Sequence, residues 1–275
     1  MQFFDSHCHF DFAEFNVDRA AHWLACNQQG IAKLLMPGVA PTQWSRAAQL
    51  CEQYQGLCYA AGIHPHWIEQ QQWFQKNAQG LLDEPTQAKI IALIGDENVQ
   101  AQKNGSSHCV AIGECGLDKR IATPLTLQQQ LLEIHIEIAN QLQRPLIIHC
   151  VHAHNELIAQ LRKHKNNCGG VIHAFTGSYE TACQYIEMGF YLGVGGAITY
   201  ERAHKTRTAV AKAPLEFILL ETDAPDMPLQ GKQGQRNSPE NIPLIAQVLA
   251  ELRSVSCDEI AAATWRNTQA LFCSQ

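Results

Sequence analysis

The sequence has no stretch near the roughly 18 uninterrupted apolar residues that a membrane span requires. Its opening residues, Met1 to Ser6, lack the basic and then apolar pattern of a signal peptide, so the cytoplasm is the expected compartment. A basic excess is also missing: 20 Lys and Arg stand against 26 Asp and Glu, a formal charge of −6. The chain as a whole therefore does not attract nucleic acid or an anionic surface, and a polyanionic substrate has to be held by local groups. The eleven cysteines include no Cys-x-x-Cys pair, and their odd number argues against a disulfide framework as well as a zinc ribbon. They are expected to be reduced thiols acting as small core residues. There is no Gly-x-Ser-x-Gly elbow for a serine nucleophile. No linker, internal repeat or low-complexity segment divides the chain, so one domain over 1–275 is expected. A chain of this length buries a core without staples, so a bound metal would serve function rather than folding.

What is present is a regular alternation. Short runs of Ile, Val, Leu and aromatics fall at 3–4, 31–36, 58–62, 109–113, 145–148, 170–172, 190–194 and 217–220. Segments of helical period lie between them, at 17–29 (Asn16 as N-cap, Gly30 past the end), 127–142, 156–164, 179–188 and 240–252. Continuous apolar strands bounded by helices predict a parallel sheet covered by helices. A doubly wound sheet carries a glycine-rich phosphate loop after its first strand, but here that strand runs into Asp5-Ser6-His7-Cys8-His9. A TIM-like (β/α)8 barrel is expected instead, and 275 residues suit its typical size of roughly 250. The connection 67–107, including the glutamine-rich 70–75, is expected to be surface helix and loop.

Groups able to bind metal or move protons follow these strands: His7 and His9 the first, His64 the third, Glu114 the fourth, His149 the fifth, His173 the sixth and Asp223 the eighth. In a parallel barrel the carboxyl ends of all strands converge on one face, so such residues would surround one cavity. His-x-His on extended backbone puts both imidazoles on one side, in position to chelate one ion, with Cys8 pointing away. Each group also has a structural alternative. Nearby histidines are often hydrogen-bonded core groups, and Glu114 in Gly113-Glu114-Cys115-Gly116 could be a cap or salt-bridge partner instead of bridging two cations. His149 and His173 each follow buried-looking residues, as satisfied core histidines do. Asp223 could form an Asx turn instead of binding metal and taking a proton from water. Gly193-Val194-Gly195-Gly196 is an incomplete phosphate-loop pattern after the seventh strand and reads as tight packing and a turn. Cys8, Cys115 and Cys150 each follow a candidate ligand and are expected in the core.

Taken together, Asp5-Ser6-His7-Cys8-His9, Gly62-Ile63-His64-Pro65, Gly113-Glu114-Cys115-Gly116-Leu117-Asp118, His149, His173-Ala174-Phe175-Thr176-Gly177 and Glu221-Thr222-Asp223-Ala224-Pro225 resemble the TatD family of metal-dependent deoxyribonucleases in the amidohydrolase superfamily. The likeness extends through Arg236-Asn237-Ser238-Pro239 to 267–272, and 223–234 is most similar to the YjjV branch. The resemblance implies that His7, His9 and Asp223 bind one divalent cation, His149 and His173 a second, and Glu114 both. It implies His64 as a nonligand that meets the substrate phosphate or leaving group. Zn, Mn and Mg all suit such a mixed donor set. The implied substrate is DNA, at single-stranded or frayed ends, with no membrane and no obligate protein partner.

The chain departs from the family pattern in two places. Where the family has His-x-Arg after the fifth strand, this chain reads His149-Cys150-Val151, so a bidentate phosphate clamp is missing. His152, His154, Arg202, Lys119 or Arg120 would have to compensate. The interval from His64 to Glu114 is also long for the family. The reading adopted is a metal-dependent phosphodiester hydrolase with Asp223, Glu114 and His64 as catalytic groups. The alternatives are an amidohydrolase-type deacylase or esterase on a non-phosphate substrate, and a non-catalytic metal-binding barrel.

Overall fold

A computed structural model describes residues 1–103 and 108–273 of the chain. Eight strands alternate with helices: β1 Phe3–Asp5, β2 Ile31–Met36, β3 Leu57–Ala61, β4 Cys109–Asp118, β5 Leu146–Val151, β6 Gly170–Ile172, β7 Phe190–Val194 and β8 Ile218–Leu220. They form one sheet whose strand order follows the chain, β1 to β8, as in the expected TIM-like (β/α)8 barrel. The helices are α1 Arg19–Gln28, α2 Pro41–Gln53, α3 Glu84–Lys103, α4 Leu125–Leu142, α5 His154–Lys163, α6 Tyr179–Glu187, α7 His204–Lys212, α8 Ile242–Arg253 and α9 Cys257–Phe272. Among the described residues no helix is long and apolar enough to cross a membrane.

The residues cluster into two compact units. The first comprises Met1–Met36, Tyr54–Cys58 and the chain from Ile172 on. In it β1 pairs parallel with β2, and β7 with β8. Ser6 N donates to Leu220 O at 2.9 Å, which lays the end of β1 beside the end of β8. The second comprises Pro37–Gln53 and Tyr59–Val171, and in it β4 pairs parallel with both β3 and β5. All ten residues of β4 are buried, as expected of a parallel strand covered on both faces.

Local sequence explains most boundaries. Ser178 and Ser256 each accept a hydrogen bond at a helix start, from Thr181 N and Glu259 N. The expected cap at Asn16 is corrected: a short 3-10 turn, Ala13–Phe15, buries Phe15, and α1 starts only at Arg19. Asn16 Oδ1 instead accepts from Arg19 Nη2 at 2.9 Å. The connection after β3 is more packed than expected. Leu82 N donates to Gln130 on α4, Thr123 donates to Glu69, and Ile90 and Ile94 of α3 are buried. Residues 104–107 of that connection lie outside the described residues. All eleven cysteines are free thiols, and Cys8, Cys115 and Cys150 are buried, as expected.

One buried imidazole in α4 makes stability depend on pH. His135 is fully buried, its Nδ1 lies 2.7 Å from Leu131 O, and its Nε2 accepts from Ile63 N at 3.0 Å. That pattern needs the neutral ring, and burial pushes its pKa down from 6.5 to about 4. The folded state thus refuses a proton that the unfolded chain accepts. The stability tied to the neutral ring is present in full above pH 6.5 and is lost as pH falls through 4. It amounts to about 3 kcal/mol at most. Denaturant unfolding at several pH values should show this acid limb in the wild type and a shallower one in His135→Gln. Equal limbs would remove His135 as the cause.

Candidate metal centre

In the first unit, hydrogen bonds between residues far apart in sequence hold the segment after β1 against the segment after β8. Asp223 N donates to His7 O at 2.9 Å and His9 N to Ala224 O at 2.8 Å. Buried Asp5 accepts from Thr222 Oγ1 at 2.6 Å, Thr222 N at 3.0 Å and His7 N at 3.2 Å. The burial that pushes the Asp5 carboxyl well above its ordinary pKa outweighs the lowering from these donors. As a result, His7 Nε2 and His9 Nε2 lie 3.4 and 3.6 Å from Asp223 Oδ1. The ring of His173, just after β6, stacks on that of His7 with centroids 3.9 Å apart. His7, His9, His173 and Asp223 are therefore brought together in this unit.

Glu221 belongs to the same cluster and was missed by sequence reasoning. It is fully buried, its Oε1 accepts from Ala174 N, and it stands 3.7 Å from His173 Nδ1. Its Oε2 is buried with no hydrogen-bond partner among the described residues. Donor atoms of His7, His173 and Glu221 all lie within 4.8 Å of one another, a spacing that suits a cation. The sequence did carry a signal, because Glu221 and Asp223 have the same i, i+2 spacing as His7 and His9. Glycine on β7 makes room for this carboxylate: a Cβ on Gly193 would stand 2.1 Å from Glu221 Oε2.

The second unit holds its own cluster of His64, Glu114 and His149. Glu114 lies within β4, not past its end as expected, because that strand continues to Asp118. The reason is glycine: Gly116 has φ +147°, and a Cβ there would stand 2.0 Å from His149 O, so β4 and β5 run close beyond Glu114. Glu114 Oε1 lies 2.9 Å from His149 Nδ1 and 3.5 Å from His64 Nε2. His64 Nδ1 accepts from His66 N at 3.1 Å, which puts the proton of the neutral ring on Nε2, toward Glu114. Asp118, to which the sequence alone assigns no role, lies 3.3 Å from His149 Nε2. Burial raises the Asp118 pKa, but the His149 contact and the Arg120 backbone N–H outweigh it and hold the carboxyl below its usual range. A carboxylate on the second nitrogen of a metal-binding histidine orients the ring.

The expected substrate contacts are not drawn into these clusters. His152 is exposed, with φ +54°. His154 starts α5 with Nδ1 3.3 Å from Cys150 Sγ, and Arg202 is exposed above the Tyr200 ring. Lys119 is engaged by Glu156 at 2.6 Å.

Imidazoles and carboxylates gathered in this way, including a buried carboxylate oxygen with no donor among the described residues, fit divalent cations of the Zn, Mn or Mg type. The eight-stranded sheet and these donors fit the class of metal-dependent hydrolases. The chain belongs to the TatD family: residues 4–273 match the family described as TatD related DNase. It is 39% identical over 272 residues to the metal-dependent hydrolase YjjV of Escherichia coli K12, covering 98% of each chain. It is 32% identical to the 3'-5' ssDNA/RNA exonuclease TatD of Edwardsiella piscicida, covering 89% of each. The crystal structure of Escherichia coli YjjV superposes with a TM-score of 0.86 at 38% identity, covering 99% of this chain and 98% of that one.

Proposed function

We propose that the chain acts as one hydrolase domain on phosphodiester bonds, most simply those at single-stranded or frayed DNA ends. The observation that carries this reading is the approach of His7 and His9 to a single carboxylate oxygen of Asp223, a donor set made for a cation. The exonuclease named for the Edwardsiella relative supports the choice of substrate. In this reading His7, His9 and Asp223 would hold one divalent cation, His149 and His173 a second, and Glu114 would serve both. When bound, such cations would supply Lewis acidity for a phosphoryl oxygen and for a water. Asp223, partly exposed at 15%, accepts the proton of the attacking water and passes it to the departing sugar oxygen. His64 is the nonligand that meets the phosphate or leaving group, and His152, His154 and Arg202 supply further phosphate contacts.

One observation favours the second reading, hydrolysis of an amide or ester. Val151 ends β5 where the family carries arginine, and the nearby Lys119 ammonium is engaged by Glu156. The test is an assay of chelator-stripped protein with Mg, Mn or Zn restored. The substrates are defined single and double strands, a nitrophenyl phosphodiester and an acyl panel. Stripped protein should be inactive, and metal should restore cleavage of single strands ahead of double strands. Metal-dependent acyl turnover without phosphodiester cleavage would establish the second reading. No turnover of any substrate would leave a metal-binding barrel.

A further inference from the structure

After β7 and β8 the chain forms two loops that line an open cavity of about 350 Å³, bounded by Ala197, Tyr200, Arg202, Ala203, Met227 and Pro228. The cavity is built rather than incidental. Tyr200 Oη donates to Pro228 O at 2.7 Å, and Gln230 N donates to Thr199 Oγ1 at 2.9 Å, so the two loops are tied to each other at two points. Asn237 Nδ2 reaches Asp226 O at 2.8 Å and Met227 O at 3.2 Å, holding Met227 at φ +50°. A Cβ on Gly196 would stand 2.9 Å from Met227 O, so the glycine run after β7 follows the β8 loop from Glu221 to Met227. The loop that carries Asp223 thus also forms one wall of the cavity.

The chemistry of the walls selects the occupant. They are predominantly apolar, with one aromatic face, one thioether and a guanidinium whose Cζ lies 5.1 Å from the Tyr200 ring centroid. An alkyl group would be satisfied by the apolar walls but would make no use of the guanidinium charge. A planar base joined to a phosphate uses both, since bases stack on aromatic rings and guanidinium planes while the guanidinium also meets the anion. We infer that this cavity is a nucleobase subsite: the base next to the scissile phosphodiester stacks on Tyr200, and Arg202 faces its phosphate. The inference rests on the phosphodiester reading and specifies which part of the nucleotide the enzyme grips.

The test uses the metal-loaded full chain and a single-stranded oligonucleotide, compared with the same strand ending in abasic residues. Wild type should cleave the abasic end with a kcat/KM lower by roughly tenfold or more, the scale of one lost stacking contact. Tyr200→Ala should lose about as much on the natural strand and little on the abasic one. Tyr200→Phe, which keeps the ring and loses only the bond to Pro228, should keep the preference. Ala197→Leu, which fills the cavity from another wall, should abolish it. Equal wild-type rates on the two strands overturn the subsite while leaving phosphodiester cleavage standing, and so does Tyr200→Ala slowing both strands alike. Cleavage of neither strand alongside acyl turnover overturns the phosphodiester reading itself, and the subsite with it.

Discussion

Glu114→Gln should lower kcat by roughly 10³-fold or more while the protein remains folded. The carboxylate stands 2.9 Å from His149 and is nearly buried within β4, in a strand whose other residues are also buried. The substitution keeps size and shape but removes the charge, and a neutral amide is a poor ligand for the two cations assigned to this residue. The barrel core does not depend on those cations, so unfolding of the metal-free variant should stay within a few degrees of metal-free wild type. Turnover, metal content and thermal unfolding measured together decide the case. A large stability loss with retained turnover would make Glu114 a structural residue.

Asp5→Ala should have the largest effect on folding. Asp5 is fully buried and accepts from Thr222 Oγ1, Thr222 N and His7 N, joining the end of β1 to the segment after β8. Alanine leaves these donors without an acceptor in a dry interior, at about 1–3 kcal/mol for each unsatisfied group. Allowing for relaxation, the expected loss is about 3–5 kcal/mol, a fall in Tm of about 6–15 °C for a chain of this size. Asp5→Asn keeps the shape and one acceptor oxygen, so it should lose less. Activity should fall with stability, because the same bonds hold His7 and Asp223 in place. A fully stable Asp5→Ala would show that water replaces the carboxylate.

The candidate site was legible in the sequence to the extent that backbone periodicity reveals it. Period two in extended chain is what puts His7 and His9 on one face in the sequence, and the structure places both beside Asp223 although β1 itself ends at Asp5. The same rule applied to Glu221 and Asp223 would have found the buried Glu221. The pattern does not single it out, because an acid after Leu219-Leu220 reads the same whether it points to solvent or to His173. Asp118 was hidden for a related reason. It enters the site only because β4 runs past Glu114, and that extension depends on glycines pressed against β5. The cavity beside Tyr200 left no local signature, since its walls come from the loops after two different strands.

The sequence by itself determined the alternation of strand and helix, the parallel sheet that follows from it, and the chemical type of each donor. These are consequences of side-chain period and of the donor chemistry of imidazole and carboxylate, which act over a few residues. Tertiary structure alone decided which donors face one another. That choice is made by bonds such as Ser6 to Leu220 and Asp5 to Thr222, between residues more than 200 positions apart. Such partners are selected only when the ends of β1 and β8 lie side by side, because a buried carboxylate is tolerable only where donors reach it.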